Sequence, residues 1–534
     1  MNTSVRLQNS YSQLWVIVSL CLIIIFAAVV RVRLLEAPLE RDEGEYAYAG
    51  QLILEGISPY KGVYSMKMPG VYAAYAMIMS LLGQTRIGIH LGLLFINSAT
   101  IILVFLLGRR LLNPILGIAS AASFAMMSLS ESVQGVFANA EHFVILFALG
   151  GILLLLYAAD SKKNKLLFSS GLLFGAGFLM KQHGGVFILF GIAYLIFEGI
   201  NRRARPWPGL SSGILLFIMG AVLPFGLMVF LFICTGDFAK FWFWTFTYAR
   251  EYISSCPLPI GLISLHRNIT GIIKAFPLLW VFTGIGLAAL FLNKKIRPRS
   301  LFIESFLIFS FLSICPGLYF RPHYFILILP AVALLAGIGM VSLGKNKKIL
   351  ISLLISAALL YSGYQNRMIF FKLSPPDFSR MTYGHNPFIE SLEIARYIKA
   401  RTKADDRILV LGSEPQIYFY SGRRSATKYI YVYPLMEDHR YALSMQEEMI
   451  NDIKRARPEF ILFVNIPTSW LMKQKSERLL FDWFDDYSKV YYKKVGMVDI
   501  ISPRLTVYRW DEESIDYTPR SNTWISIYKS IARF

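Results

Sequence analysis

The stretch from Leu14 to Gly50, "LWVIVSLCLIIIFAAVVRVRLLEAPLERDEGEYAYAG", decides the fold. Its first half, up to Arg33, is an apolar run long enough to cross a hydrocarbon core of about 30 Å, since a helix needs roughly 20 residues to do so. Its second half is charged and carries the acids Glu40, Asp42, Glu43 and Glu45. A membrane span is therefore followed at once by an acidic segment at the membrane's edge.

Similar apolar runs recur as far as Arg367. The chain has 534 residues, of which 55% are hydrophobic and 16% charged, and its mean hydropathy is +0.49. This composition is too apolar for a soluble globular protein of this size. We predict a polytopic α-helical membrane protein of about eleven transmembrane helices, near residues 14–33, 87–108, 114–130, 142–159, 165–181, 184–199, 211–234, 271–293, 300–317, 322–343 and 348–366.

The net charge of +20 reports topology rather than nucleic-acid binding. Basic clusters fall at every second loop, as the positive-inside rule requires of cytoplasmic loops. They are Arg109–Arg110, Lys162–Lys163 with Lys165, Arg202–Arg203 with Arg205, Lys294–Lys295 with Arg297 and Arg299, and Lys345 with Lys347–Lys348. With a cytoplasmic N-terminus and an odd number of spans, the loop of residues 34–86 and the tail after Tyr364 lie outside.

The tail, residues 373–534, has the pattern of an extracytoplasmic α/β domain, distinct from the membrane domain of residues 1–372. Two helix-then-strand units, "NPFIESLEIARYIKARTK" before "RILVLG" and "SMQEEMINDIKRARPEFILFVN", indicate a partly parallel sheet. "YYKKVGMVDII" and "LTVYRW" are typical of late strands in a hairpin. The turn after the first strand lacks a GxGxxG pattern, so dinucleotide binding is not indicated.

Acids and bases recur at the outer ends of the predicted spans. Asp42 suits a helix N-cap, with Gly56 as the C-cap. "SMKMPG" adds Lys67, "ANAEHF" adds Glu141 and His142, and "FLMKQHGG" adds Lys181. An ionisable group at bilayer depth costs at least about 2.5 to 3.5 kcal/mol, so it is functional or it reaches back to the surface. We expect these groups to converge at one membrane level.

Carboxylates beside lysines at a membrane surface suit one chemistry in particular. Cations can hold a lipid-linked phosphate, and a carboxylate can accept or orient the proton of a hydroxyl that attacks a sugar carbon. The combination favours glycosyl transfer from a polyprenyl-phosphate sugar.

The first loop, "RDEGEYAYAGQLILEGISPY" followed by Lys-Met-Pro, resembles that of the GT-C glycosyltransferases of the protein O-mannosyltransferase and lipid A aminoarabinose transferase type. "ANAEHF", "GFLMKQHG" and "RPHYFILILPAVALLAG" resemble further landmarks of that family. The resemblance implies an inverting transferase of the inner (plasma) membrane. It makes Asp42 the catalytic base or acceptor-orienting acid and Glu43 and Glu141 its supporting acids or part of a metal site. Lys67 and Lys181 would hold the donor phosphate.

Two aromatic and basic segments have alternative interpretations. "GDFAKFWFWTFTYAREYISSCPLP" fits an interfacial aromatic belt, or, by the resemblance, brings Tyr248 and Arg250 to the phosphate or sugar. "YFRPHYFILILP" offers Arg321, His323 and Tyr324, either as snorkelling and helix-start residues or as neighbours of the donor site. In the tail, "GRRSATKYIYVYP" indicates a solvated basic face at Arg423 and Arg424, or two arginines that help to hold an anionic acceptor.

Two questions stay open at this stage. Met66 stands before Lys67 where the aminoarabinose transferases carry an acid implicated in metal binding, so a divalent metal is in doubt. The alternatives to an enzyme are a transporter or flippase of lipid-linked sugars, which predicts charges at mid-membrane depth and inverted halves, and a non-catalytic scaffold. The sequence names neither the sugar nor the acceptor, which could be a protein, a lipid or an envelope glycan.

Overall fold

The computed structural model describes residues 3–201, 210–344 and 347–531 as a helical part followed by a tail built on a six-stranded sheet. The basic residues Arg202, Arg203, Arg205 and Lys345 lie outside the described residues. The helices of the first part are α1 Thr3–Arg33, α2 Arg41–Leu54, α3 Pro59–Gly62, α4 Pro69–Leu82, α5 Arg86–Leu111, α6 Pro114–Met127, α7 Ala140–Ser161, α8 Asn164–Met180, α9 Gly185–Asn201, α10 Leu210–Cys234, α11 Phe238–Trp242, α12 Ala249–Ser254, α13 Leu258–Ala275, α14 Pro277–Leu292, α15 Ser300–Ile314, α16 Leu329–Leu343 and α17 Lys348–Gln365.

The chain is an integral membrane protein. In the described part, five helices are long and apolar enough to cross a membrane, and α13 with α14 would make a sixth span bent by 104°. Large apolar side chains on the outer faces of these helices are exposed, such as Phe230 at 61%, which suits contact with lipid. Five other apolar helices have only 10–17 residues. At 1.5 Å per residue these reach roughly 15 to 25 Å, so the number of eleven spans stays a prediction.

Two predicted spans differ from the structure. The span predicted near 271–293 breaks at Phe276, whose φ of −140° and ψ of 56° are not helical, because Pro277 has no N–H to continue the helix. The span predicted near 322–343 begins with a 3-10 helix, Pro322–Leu327, before α16. The helix predicted between Asp42 and Gly56 is confirmed as α2, and the loop of residues 34–86 also contains α3 and α4.

The prediction that Asp42 caps α2 is wrong. Glu40 is the N-cap: its side chain accepts hydrogen bonds from the backbone N–H groups of Asp42 and Glu43, and the Glu43 side chain accepts one from the Glu40 N–H. This reciprocal arrangement is a capping box with glutamate at both positions. At the other end Glu55 is the C-cap, and Gly56 follows with a φ of +78°. Because Glu40 does the capping, the Asp42 carboxylate is left for other partners.

The tail forms the predicted partly parallel sheet. In the order β2-β1-β3-β6-β4-β5, β1 pairs in parallel with β2 and β3, and the remaining pairs are antiparallel. The predicted late hairpin is confirmed as β4 and β5, whereas β6 was not predicted and lies between β3 and β4. The strands are β1 Arg407–Leu411, β2 Arg424–Ser425, β3 Phe460–Asn465, β4 Tyr492–Ser502, β5 Leu505–Trp510 and β6 Trp524–Ser530; the helices are α18 Pro375–Tyr383, α19 Glu390–Lys399, α20 Gln416–Ser421, α21 Tyr433–Met436, α22 Ala442–Ala456, α23 Pro467–Trp470, α24 Leu479–Tyr491 and α25 Glu512–Ile515.

The tail packs directly on α2, along a contact that we call the docking seam. At Gly44 the two backbones come so close that a Cβ atom would lie 2.6 Å from the Gln416 nitrogen, so only glycine fits there. Hydrogen bonds border this point: Leu39 N–H donates to the Tyr420 hydroxyl at 2.7 Å, and Ser425 N–H donates to the Tyr48 hydroxyl at 2.9 Å. The seam therefore fixes the tail against the first turns of α2, where the acidic segment lies.

Candidate active site

Asp42 lies in the first turn of α2 with both carboxylate oxygens engaged. Oδ2 is 3.0 Å from the Lys67 ammonium nitrogen, and Oδ1 accepts a hydrogen bond of 2.7 Å from the Tyr431 hydroxyl. The side chains of Asp42 and Lys67 are each 18% exposed. Burial alone would raise the pKa of Asp42, but the charge of Lys67 and the Tyr431 hydrogen bond hold that pKa well below its usual value. Asp42 is therefore ionised at neutral pH.

A second acid–base pair joins the start of one helix to the end of another. Glu141, in the first turn of α7, accepts a hydrogen bond from the ammonium group of Lys181, the residue that follows α8. Glu141 is 1% exposed and Lys181 9%. The Lys181 nitrogen also lies 4.0 Å from the centroid of the Tyr324 ring, at cation–π distance. This second lysine is thus held more deeply than Lys67.

His323 connects the two pairs. Its Nε2 atom is 4.0 Å from Asp42 Oδ2 and 4.0 Å from Glu141 Oε1, and its Nδ1 atom lies 3.0 Å from the Gln134 side-chain oxygen. The five residues Asp42, Lys67, Glu141, Lys181 and His323 form what we call the acid–base cluster. The expectation that the groups from three distant motifs meet at one level agrees with this geometry.

Among the predicted site residues outside the cluster are Glu43 and His142. Glu43 is fully buried: its carboxylate contacts His90 Nε2 at 3.0 Å and accepts a 2.6 Å hydrogen bond from the Ala138 N–H, in addition to closing the capping box. His142 is also buried, and it bonds to Gly135, whose carbonyl accepts from Arg31 of α1. Both side chains therefore connect neighbouring segments of the helical part, and neither of them lines the cluster.

The aromatic segment places its predicted residues apart from Lys67 and Lys181. The buried Tyr248 hydroxyl donates to Glu437 of the tail at 2.6 Å. Arg250 is exposed and borders a cleft of about 670 Å³ with Trp242 and Phe246. Arg321 is half-buried, with its guanidinium 5.5 Å from the centroid of the Tyr319 ring. Whether either arginine reaches the donor phosphate stays a prediction.

Two residues of the site were not predicted, Tyr431 and Glu45. Tyr431 belongs to the tail segment for which the sequence predicted a basic face at Arg423 and Arg424. Arg423 in that segment is 9% exposed and donates to backbone carbonyls, including that of Thr402 at 2.8 Å, so the predicted solvated basic face is wrong at this position. Glu45 lies one turn after Asp42 on α2, and this spacing was the available signal.

Glu45 is a fully buried carboxylate beside the cluster. Its Oε1 accepts a 2.5 Å hydrogen bond from the Tyr72 hydroxyl, and Oε2 has no hydrogen-bond partner among the described residues. Burial raises the pKa of Glu45 to about 7, against the opposing effect of the Lys67 charge. Glu45 is therefore the group near the cluster whose charge changes close to neutral pH.

Replacing Glu45 with Gln should remove a pH dependence of stability. Because the folded pKa of Glu45 lies above its unfolded value, the folded state holds the proton more tightly, and stability falls as pH rises from about 4.5 to about 7. The loss amounts to roughly 3 kcal/mol, at about 1.4 kcal/mol per pKa unit. Thermal unfolding in detergent between pH 4 and pH 9 should show this slope in the wild type and a flatter curve in Glu45→Gln. Parallel curves would contradict it.

The cluster does not fit a divalent metal ion. Among the described residues no group of three or more His, Cys, Asp or Glu side chains is arranged to hold one. The chemistry of the side chains agrees. The carboxylates of Asp42 and Glu141, which would have to serve as metal ligands, are already paired with the ammonium groups of Lys67 and Lys181. Met66 packs among apolar side chains instead of supplying an oxygen.

A helical membrane part with charged side chains gathered at the ends of its spans, and an α/β tail docked on the first loop, define a membrane GT-C fold. The family model described as dolichyl-phosphate-mannose-protein mannosyltransferase matches residues 66–245. That range includes Lys67, Glu141 and Lys181 of the cluster. A search of curated protein sequences gives no significant match.

Solved structures of the same fold cover nearly the whole chain. ArnT from Cupriavidus metallidurans bound to undecaprenyl phosphate is 15% identical and matches with a TM-score of 0.60, over 96% of this chain and 98% of that one. The apo form of ArnT gives 15% identity and a TM-score of 0.58, over 97% and 98%. The oligosaccharyltransferase AglB from Archaeoglobus fulgidus, in complex with an inhibitory peptide and a dolichol-phosphate, gives 11% and 0.57, over 94% and 75%. The resemblance to GT-C glycosyltransferases is confirmed in the fold.

Proposed function

We propose that this protein is an inverting glycosyltransferase that moves a sugar from a polyprenyl-phosphate-linked donor to an acceptor outside the cytoplasm. The observation that carries the proposal is the acid–base cluster: an ionised, partly exposed Asp42 held by Lys67, beside the pair Glu141–Lys181. Two proteins of the same fold were solved with undecaprenyl phosphate and with a dolichol-phosphate, which supports a donor of this class.

The position of the cluster supports an extracytoplasmic site. The first loop leads into α5, whose 26 residues span roughly 39 Å and end at Arg109–Arg110. Glu141 begins α7, whose 22 residues span roughly 33 Å and lead to Lys162–Lys163. The cluster and these basic clusters thus lie at opposite ends of the same spans, and the basic end is the cytoplasmic one by the positive-inside rule. This orientation also makes the N-terminus cytoplasmic and the tail extracytoplasmic, in the inner (plasma) membrane.

The two lysines and Asp42 have different roles in the proposed reaction. Lys67 and Lys181 bind the phosphate of the donor, and they favour the transition state because the phosphate gains negative charge as its bond to the sugar carbon breaks. Asp42 accepts the proton of the acceptor hydroxyl as its oxygen bonds to that carbon from the opposite face. When Lys67 turns towards the phosphate, its charge no longer depresses the pKa of Asp42 as strongly, so donor binding makes Asp42 a better proton acceptor.

The other predicted residues take supporting parts in this proposal. His323 and Tyr324 lie between the two pairs and orient Lys181 and Asp42. Glu43 and His142 hold the helices that carry Asp42 and Glu141. Arg321, Arg250 and Tyr248 form the approach for the donor phosphate or the acceptor.

A donor panel tests the proposed function. Purified protein in lipid nanodiscs, incubated with polyprenyl-phosphate hexoses and pentoses and an extract of envelope lipids, glycans and proteins, should release polyprenyl phosphate from at least one donor. Mass spectrometry of both fractions would identify the sugar and the acceptor. A protein that moves labelled donor across a vesicle membrane without cleaving any donor would be a flippase, and the proposal of a transferase would fail.

A further inference from the structure

Among the described residues of the tail, Tyr431 is the one whose hydrogen bond to a carboxylate of the acid–base cluster is observed. Its hydroxyl donates to Asp42 Oδ1 at 2.7 Å across a separation of 389 residues. The Tyr431 side chain is 8% exposed, and its ring packs edge-on against Tyr433 at a centroid distance of 5.3 Å. The hydroxyl that contacts Asp42 therefore belongs to a buried, packed ring and not to a mobile side chain on the surface.

The backbone that carries Tyr431 is fixed on both sides. The Val432 N–H donates to the Ser413 hydroxyl at 3.0 Å, and the Lys428 carbonyl accepts a 2.8 Å hydrogen bond from the Tyr64 N–H. Ile430, between them, is fully buried. Together with the docking seam at Gly44, these contacts leave the Tyr431 hydroxyl little freedom relative to α2.

We propose that Tyr431 is a positioning residue of the active site, and that the tail thereby forms part of the catalytic centre. This inference rests on the proposed function. During transfer Lys67 turns towards the donor phosphate, so Asp42 would lose the ammonium that holds Oδ2 in the free protein. Tyr431 still holds Oδ1, which keeps the carboxylate from rotating, and Oδ2 is then free to accept the acceptor's proton in a fixed direction.

A merely structural role for this hydrogen bond makes a different prediction. If Tyr431 only fastened the tail, its loss would lower stability or weaken donor binding together with turnover. If it orients Asp42, its loss lowers kcat while the donor KM stays the same, because the donor is held by Lys67 and Lys181 and not by Asp42.

The test compares Tyr431→Phe with Tyr429→Phe in the full-length protein. Each variant loses one hydroxyl from the same tail segment, but the Tyr429 hydroxyl faces Glu448 and not the cluster. We expect Tyr431→Phe to lower kcat about 10- to 100-fold, as the loss of a hydrogen bond to a charged group does. Its donor KM, its affinity for polyprenyl phosphate and its Tm should stay within about twofold, or a few degrees, of those of Tyr429→Phe.

The outcomes separate this inference from the proposed function. An active wild type with an equally active Tyr431→Phe would overturn the inference alone. So would a rise in KM at unchanged kcat, or a fall in Tm accompanied by full activity at a lower temperature. A wild type that cleaves no donor would overturn both.

Discussion

Asp42→Asn is expected to lower kcat by about three orders of magnitude, within the range of roughly 10²- to 10⁴-fold that general-base catalysis contributes. The amide keeps the shape of the side chain and can still accept the Tyr431 hydrogen bond, but it cannot take a proton from the acceptor hydroxyl. Because the Asp42 side chain is 18% exposed and caps no helix, the fold should survive. Release of polyprenyl phosphate from the donor, followed over long incubations, measures the residual rate.

Glu55→Gln is the matched control for Asp42→Asn. It makes the same change from carboxylate to amide directly after the same helix, where Glu55 pairs with Arg424 at 2.8 Å on the surface. Such exposed pairs contribute about 0 to 1 kcal/mol, so this variant should keep full activity. If Asp42→Asn retained more than about a tenth of the control's rate, Asp42 would not be the base.

The second large effect is expected on stability, from Lys181→Met. Methionine fills the space of the lysine stem but leaves Glu141, which is 1% exposed, without its cation. Breaking a buried ion pair from one side costs about 3 to 5 kcal/mol, because the remaining charge is buried and unpaired. Denaturant or thermal unfolding in detergent should show a loss of that size at neutral pH.

The double variant Lys181→Met/Glu141→Gln identifies the cause of that loss. Removing the stranded charge should restore most of the stability, although not the activity, because Lys181 is assigned to the donor phosphate. Arg110→Met is the surface control, since Arg110 pairs with Asp160, whose side chain is 60% exposed, and it should change stability by less than about 1 kcal/mol. Equal losses in the single and double variants would show that lost packing is responsible.

The membrane part of the fold could be predicted because its signal is local. Apolar length predicts spans such as α5 and α7, and the turn residues between them set their approximate ends. Where the span near 271–293 breaks, the proline was visible, but proline also occurs within unbroken helices, as Pro224 does in α10. The presence of a proline alone therefore does not predict the 104° bend between α13 and α14.

The candidate site was predictable only in the residues that chemistry makes conspicuous. Ionisable groups near apolar runs indicated Asp42, Lys67, Glu141 and Lys181, and the structure brings them together. Which acid caps α2 depends on how the chain enters the helix, so neighbouring acids could not be told apart. Glu43 and His142 are next to Asp42 and Glu141 in sequence yet face a different side of the helix, because adjacent positions on a helix point about 100° apart.

The 389-residue separation between Asp42 and Tyr431 also determines how long after Asp42 the ribosome adds Tyr431. Ribosomes add about 5 to 20 residues per second, so Asp42 is made roughly 20 to 80 seconds before the tyrosine that donates a hydrogen bond to it. Throughout that interval the nascent chain can insert its helices while Asp42 still lacks its hydrogen bond from Tyr431. A chain whose translation stopped before the tail would carry helices α1 to α17 and would lack the hydroxyl group that contacts Asp42.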